Sequence, residues 1–111
     1  FDIADGDLVV EKRTPGAFFP GGCELPGLLR ERDVDTVLVT GTVANVCCES
    51  TVREAAASGF RTVMVADANA ALTDADLNAT LRTVYRSFGD VRTVIELVAI
   101  LGTAVKTKMI G

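Results

Sequence analysis

Residues 35–51 read DTVLVTGTVANVCCEST, and they hold both a strand signal and a helix signal. Its first seven residues, DTVLVTG, are a β-branched apolar run of the kind buried on both faces of a parallel sheet. From Asn45 to Ser58 the pattern turns helical. Val46, Ser50, Val52, Ala55 and Ala56 supply a face of small residues, and Gly59 stands at the expected stop. A strand that runs into a helix is the opening of a βαβ unit. RTVMVAD (61–67), a second short apolar run, predicts the strand that completes it.

The flanking segments continue the alternation. LTDADLNATLRTVYRSFGD (72–90) predicts a helix that starts at Thr73, with Asp76 three residues later in a capping-box-like arrangement. Leu77, Leu81, Val84 and Phe88 follow at helical spacing before Gly89. VRT (91–93) predicts a short edge strand and VIELVAIL (94–101) a last helix, and the tail GTAVKTKMIG is weakly patterned. Upstream, DLVVEK (7–12) predicts a strand. RTPGAFFPGG (13–22) predicts a loop, and ELPGLLRER (24–32) a short helix with Pro26 in its first turn. Strands alternating with helices predict an α/β fold, the C-terminal part of a Rossmann-like three-layer α/β/α domain with a mainly parallel sheet. Three or four strands make a thin sheet, and the chain opens without Met inside an ordered-looking segment. Residues 1–111 are therefore expected to be one partial domain, with further N-terminal strands and helices upstream.

Composition narrows the function. Across 111 residues, 49% hydrophobic and 23% charged content is ordinary for a small soluble domain. Net charge is −4 and the eleven Lys and Arg are scattered, so no electrostatic footprint for nucleic acid is expected. No apolar run reaches the ~18 residues of a membrane span, and VIELVAIL is broken by Glu96. The opening residues do not read as a signal peptide, and three cysteines cannot all pair within one chain. A reducing cytoplasm is the expected compartment and a small molecule the expected substrate. The chain has no His, so a His-based triad within it is excluded.

The chemistry gathers at the cysteines. In open α/β sheets, ligands bind beyond the carboxyl ends of the strands, and Cys47 lies a few residues past the end of TVLVTG. A helix start there offers unpaired N–H groups and roughly half a positive charge, and both favour a thiolate. The same N–H groups can stabilise an oxyanion, typically by about 2.7–4 kcal/mol per donor. Adjacent helical residues point about 100° apart, so Cys47 and Cys48 cannot share one role, and spacing alone leaves open which faces the strand ends. Neighbouring cysteines lack C-x-x-C spacing and make a strained disulfide, which argues against a redox or metal pair. Lys12, at the end of LVVEK, could stabilise a thiolate by charge, although a strand-terminal Lys is usually a solvated cation.

Taken together, DLVVEKRTPGAF, VLVTGTVANVCCEST, GFRTVMVADANAA and RSFGDVRTVIELVAIL resemble the isochorismatase-like cysteine hydrolase superfamily, which includes nicotinamidases and N-carbamoylsarcosine, ureidoacrylate and biuret hydrolases. The resemblance implies Cys47 as nucleophile, Cys48 at the position of the usual Val, and Lys12 as the triad lysine. It also implies a cis peptide between Thr42 and Val43, with the Val43 and Cys47 N–H groups as oxyanion hole. Phe18 becomes the substrate-pocket aromatic of a Ser-Ala-Phe-like turn in which Gly16 replaces Ser. No cofactor or metal is implied for this part of the domain, and a homo-oligomer is expected.

The sequence departs from the pattern where the triad needs an Asp. Asp2, Asp5 and Asp7 do not follow the required apolar strand, and Ala44 stands where many members have Thr. The resemblance therefore implies a cysteine-dependent hydrolase that cleaves a C–N bond of a small amide or ureido/carbamoyl compound, with these 111 residues alone inactive. The alternatives are an isochorismatase-type vinyl-ether hydrolase, or a non-catalytic truncated domain that serves as an oligomerisation or partner module.

Overall fold

The computed structural model describes residues 2–102 and the backbone of 108–110. Four helices and four strands follow in the order α1 (Leu25–Glu31), β1 (Thr36–Thr42), α2 (Glu49–Ala57), β2 (Arg61–Ala70), α3 (Asp74–Ser87), β3 (Asp90–Arg92), α4 (Val94–Leu101) and β4 (Lys108–Ile110). A five-residue π-helical turn, Ala44–Cys48, leads directly into α2. The strands form one sheet in the order β3-β2-β1-β4, with every pairing parallel. This is an α/β fold. Apart from the β4 backbone and Gly102, the tail expected to be weakly patterned lies outside the described residues.

Strand alternation divides the core between the two faces of the sheet. Val37, Val39 and Met64 point to one face and pack with Leu25, Leu29, Val52, Ala55 and Val84 from α1, α2 and α3. Leu38 and Val65 point to the other face, where Leu97 of α4 covers them. Val37, Met64, Val52, Val65 and Val84 have no exposed surface, and each such burial is worth about 1.5–3 kcal/mol. The β-branched run is therefore buried on both sides, as a central parallel strand requires.

The helix ends follow from their sequences. The Thr73 hydroxyl accepts from the Asp76 N–H (3.1 Å) at the start of α3. At α4 the capping box is reciprocal: Thr93 accepts from the Glu96 N–H (3.3 Å), and the Glu96 carboxylate accepts from the Thr93 N–H (2.9 Å). Asp67, within β2, adds an acceptor for the Val94 N–H at 2.8 Å.

One predicted element does not form. Residues 7–9 are exposed and in no strand, and Lys12 makes only an isolated antiparallel bridge with Cys23. An apolar β-branched run becomes a strand only when a neighbour takes its N–H and C=O groups, and no strand of this sheet pairs with 7–12.

Candidate active site around Cys47

The carboxyl end of β1 is shaped by an irregularity in its pairing with β2. Register runs Val39↔Met64 and then Gly41↔Asn69, so β2 carries extra residues at this point. The buried Asn69 side chain closes the gap, its Nδ2 donating to the carbonyls of Val39 (2.9 Å) and Val65 (2.7 Å). Gly41 follows at φ +124°, a conformation that suits only glycine, and a Cβ there would stand 4.0 Å from the Cys48 sulfur. The Thr42–Val43 peptide bond is cis. The Val43 carbonyl then accepts from the N–H groups of Val46 (3.0 Å) and Cys48 (3.3 Å), which winds the chain into the π-helical turn.

That turn separates the two thiols. Cys47 is half-buried, whereas Cys48 is buried against Ala44, Val52 and the first core cluster. Burial, reinforced by the neighbouring Cys47, pushes the Cys48 thiol up to about 11, with the Lys12 charge acting in the opposite sense. Cys48 is therefore a neutral core residue near neutral pH, and Lys12 lies close enough to the cysteine turn for its charge to be felt there.

The raised Cys48 value has a consequence for stability. Below about pH 9 the thiol is protonated in both the folded and the unfolded chain, and its contribution is fully present. As pH rises towards about 11 the unfolded chain releases this proton first, so stability falls. The expected loss is on the order of 2 kcal/mol across that interval. Melting curves of the wild type and Cys48→Ala should therefore converge in the alkaline range; parallel curves would contradict the assignment.

Lys12 is exposed, and its Nζ donates to the carbonyls of Thr14 (3.2 Å) and Pro15 (2.9 Å). The turn containing those carbonyls is bound to α2. The Ala17 N–H donates to the Thr51 hydroxyl (3.1 Å), and the Phe18 N–H to the Glu54 carboxylate (3.1 Å). Phe18, expected at the pocket wall, packs its ring into the core. It is 1% exposed and packs edge-on against Phe60, with ring centroids 5.1 Å apart. It borders a groove of about 520 Å³ with Pro20, Cys23 and Leu28, and Cys47 does not line that groove. An aromatic in a loop is buried by the nearest apolar neighbour, and here the neighbour is the core. Phe19 is the half-exposed member of the pair.

Thr42, Val43 and Cys47 thus share one turn, the Lys12 charge is felt there, and Phe18 packs into the core at the border of a separate groove. Asp7 accepts from the Ala4 N–H (2.9 Å) in an exposed local turn. Thr51, Glu54 and Asn69 were not singled out from the sequence. The four- and three-residue spacing of Cys47, Thr51 and Glu54 is the signal that could have found the first two, because it places them along one helix face. Among the described residues no group of three or more Cys, Asp or Glu could hold a metal ion, and no helix is long and apolar enough to cross a membrane.

A parallel α/β sheet whose inner strand runs into a cysteine turn at a helix start defines a Rossmann-like α/β protein. Residues 1–96 match the model of the isochorismatase domain, and the chain belongs to that family. It is 39% identical over 94 residues to the uncharacterized isochorismatase family protein YwoC of Bacillus subtilis (strain 168), covering 85% of this chain and 49% of that protein. It is 33% identical over 98 residues to the N-carbamoylsarcosine amidase of an Arthrobacter species, covering 88% and 36%. A crystal structure of a cysteine hydrolase from Pseudomonas syringae pv. phaseolicola 1448A superposes with a TM-score of 0.87 at 33% identity, over 93% of this chain and 53% of that one. The chain spans about half the length of the curated relatives it matches, or less.

Proposed function

We propose that the chain carries the nucleophile of a cysteine hydrolase that cleaves a C–N bond in a small amide or ureido/carbamoyl compound. The observation that carries this reading is the division of the two thiols. Cys47 is accessible at a helix start beyond the central strand, with Lys12 nearby, while Cys48 is sealed in the core as a neutral thiol. The family's hydrolytic chemistry and the similarity to an N-carbamoylsarcosine amidase support the ureido/carbamoyl class.

In this mechanism the Cys47 thiolate attacks the carbonyl carbon, a C–S bond forms, and the carbonyl electrons move onto oxygen. The Val43 and Cys47 N–H groups hold that oxyanion. The C–N bond then breaks, and the nitrogen leaves as ammonia or an amine after taking a proton. Water attacks the thioester-type intermediate, the C–S bond breaks, and the thiolate returns. Lys12 stabilises the thiolate by charge. The proton carrier is the aspartate of the family's Asp-x-Gln-like motif, which has no counterpart among these residues.

Iodoacetamide near neutral pH tests the activated thiol directly. Cys47 is expected to be alkylated at least about tenfold faster than Cys48 or Cys23, read by peptide mapping. Equal, slow labelling of all three would overturn the reading.

A further inference from the structure

Gly16 marks a close approach between the turn after Lys12 and the helix after the cysteines. A Cβ at this position would overlap the Glu54 carboxylate. The glycine leaves room for that carboxylate to reach the Phe18 N–H, one peptide beyond the N–H that Thr51 accepts from. The turn is braced within itself as well, since the Thr14 hydroxyl donates to the Gly16 carbonyl at 2.8 Å. Two consecutive amides of the turn are thus held by α2, and two consecutive carbonyls just before them hold the Lys12 ammonium.

We propose that Glu54 is a positioning residue for Lys12: its carboxylate, together with the Thr51 hydroxyl, fastens the 14–18 turn to the helix that follows Cys47 and so keeps the ammonium beside the cysteine turn. The inference rests on the reading of Lys12 given above and adds what holds that lysine in place. Lys12 is exposed, its backbone bridges Cys23, and among the described residues its ammonium is held by backbone carbonyls of its own turn, so the place of the ammonium depends on where that turn is anchored. The attraction between a cation and a thiolate falls with their separation and is screened over about 8–10 Å, so an ammonium that moves away stabilises the thiolate less.

The test is the alkylation rate of each cysteine in the full chain, with iodoacetamide near neutral pH. Lys12→Ala is expected to slow Cys47 by about tenfold. Glu54→Ala should slow it by a similar factor, and Lys12→Ala/Glu54→Ala no further than Lys12→Ala alone. Glu54→Gln, which keeps an acceptor oxygen for the Phe18 N–H, should restore the wild-type rate. Gly16→Ala displaces the carboxylate while leaving α2 intact, so it should act like Glu54→Ala and serves if that variant does not fold. A merely structural role predicts the opposite sign, because general loosening would speed labelling of the buried Cys48 while leaving Cys47 unslowed. That pattern, a wild-type Cys47 rate in Glu54→Ala and Gly16→Ala, or additive effects in the double variant, would overturn the proposal. If Lys12→Ala itself reacts like wild type, the electrostatic role of Lys12 fails, and the positioning role of Glu54 fails with it.

Discussion

Replacing Cys47 with alanine is expected to remove hydrolytic turnover of an amide or ureido substrate, by a factor on the order of 10⁶. Loss of this size is what removal of a covalent nucleophile produces, because the reaction loses its two-step route rather than one stabilising contact. The assay is release of ammonia or amine by a protein that joins this chain to the aspartate-bearing first half of the family domain. Cys48→Ala in the same protein should retain most of its turnover, since that side chain is a core filler. Unchanged turnover in Cys47→Ala would exclude the covalent mechanism. It would leave a hydrolase in which water attacks directly, as a vinyl-ether substrate allows.

Phe18→Ala is expected to cost about 3–5 kcal/mol of folding stability, a large share of the roughly 5–15 kcal/mol that holds a small domain together. The ring is almost fully enclosed and packs edge-on against Phe60, so truncation removes both transfer energy and an aromatic contact. Urea denaturation should show a lower midpoint with an unchanged slope. A loss below about 1 kcal/mol would contradict the core role, and an altered KM would support a pocket role for Phe18.

Much of the fold was legible because the periodicities are strong. The run Val37–Val39 alternates between two apolar faces, and both proved to be covered. Thr73 and Gly59 marked a helix start and a helix stop by chemistry that needs no tertiary context. The segment 7–12 carries a short apolar run, Leu8–Val10, and did not become a strand. Strand formation depends on a partner in hydrogen-bonding register, which composition does not encode. The reciprocal box of Thr93 and Glu96 was not singled out from the sequence, although their three-residue spacing is its signature.

The candidate site divides in the same way. The positions of Cys47 after an apolar strand, of Lys12 ahead of the turn and of Gly16 within it can all be read along the chain. Which of two adjacent thiols is buried cannot be, because it depends on how the π-helical turn rotates the backbone out of β1. Spacing gives a difference in direction, and only the packing of Ala44, Val52 and their neighbours gives that direction a meaning.

The alternation of strand and helix after residue 24, the Thr73 cap and the local cysteine turn follow from residues within a few positions of one another. The burial of Cys48, the enclosure of the Phe18 ring and the hold of Glu54 on the turn bearing Lys12 are visible only in the folded chain. Each of these is a contact between segments distant in the chain, and its energy comes from excluding water or satisfying an N–H across that distance.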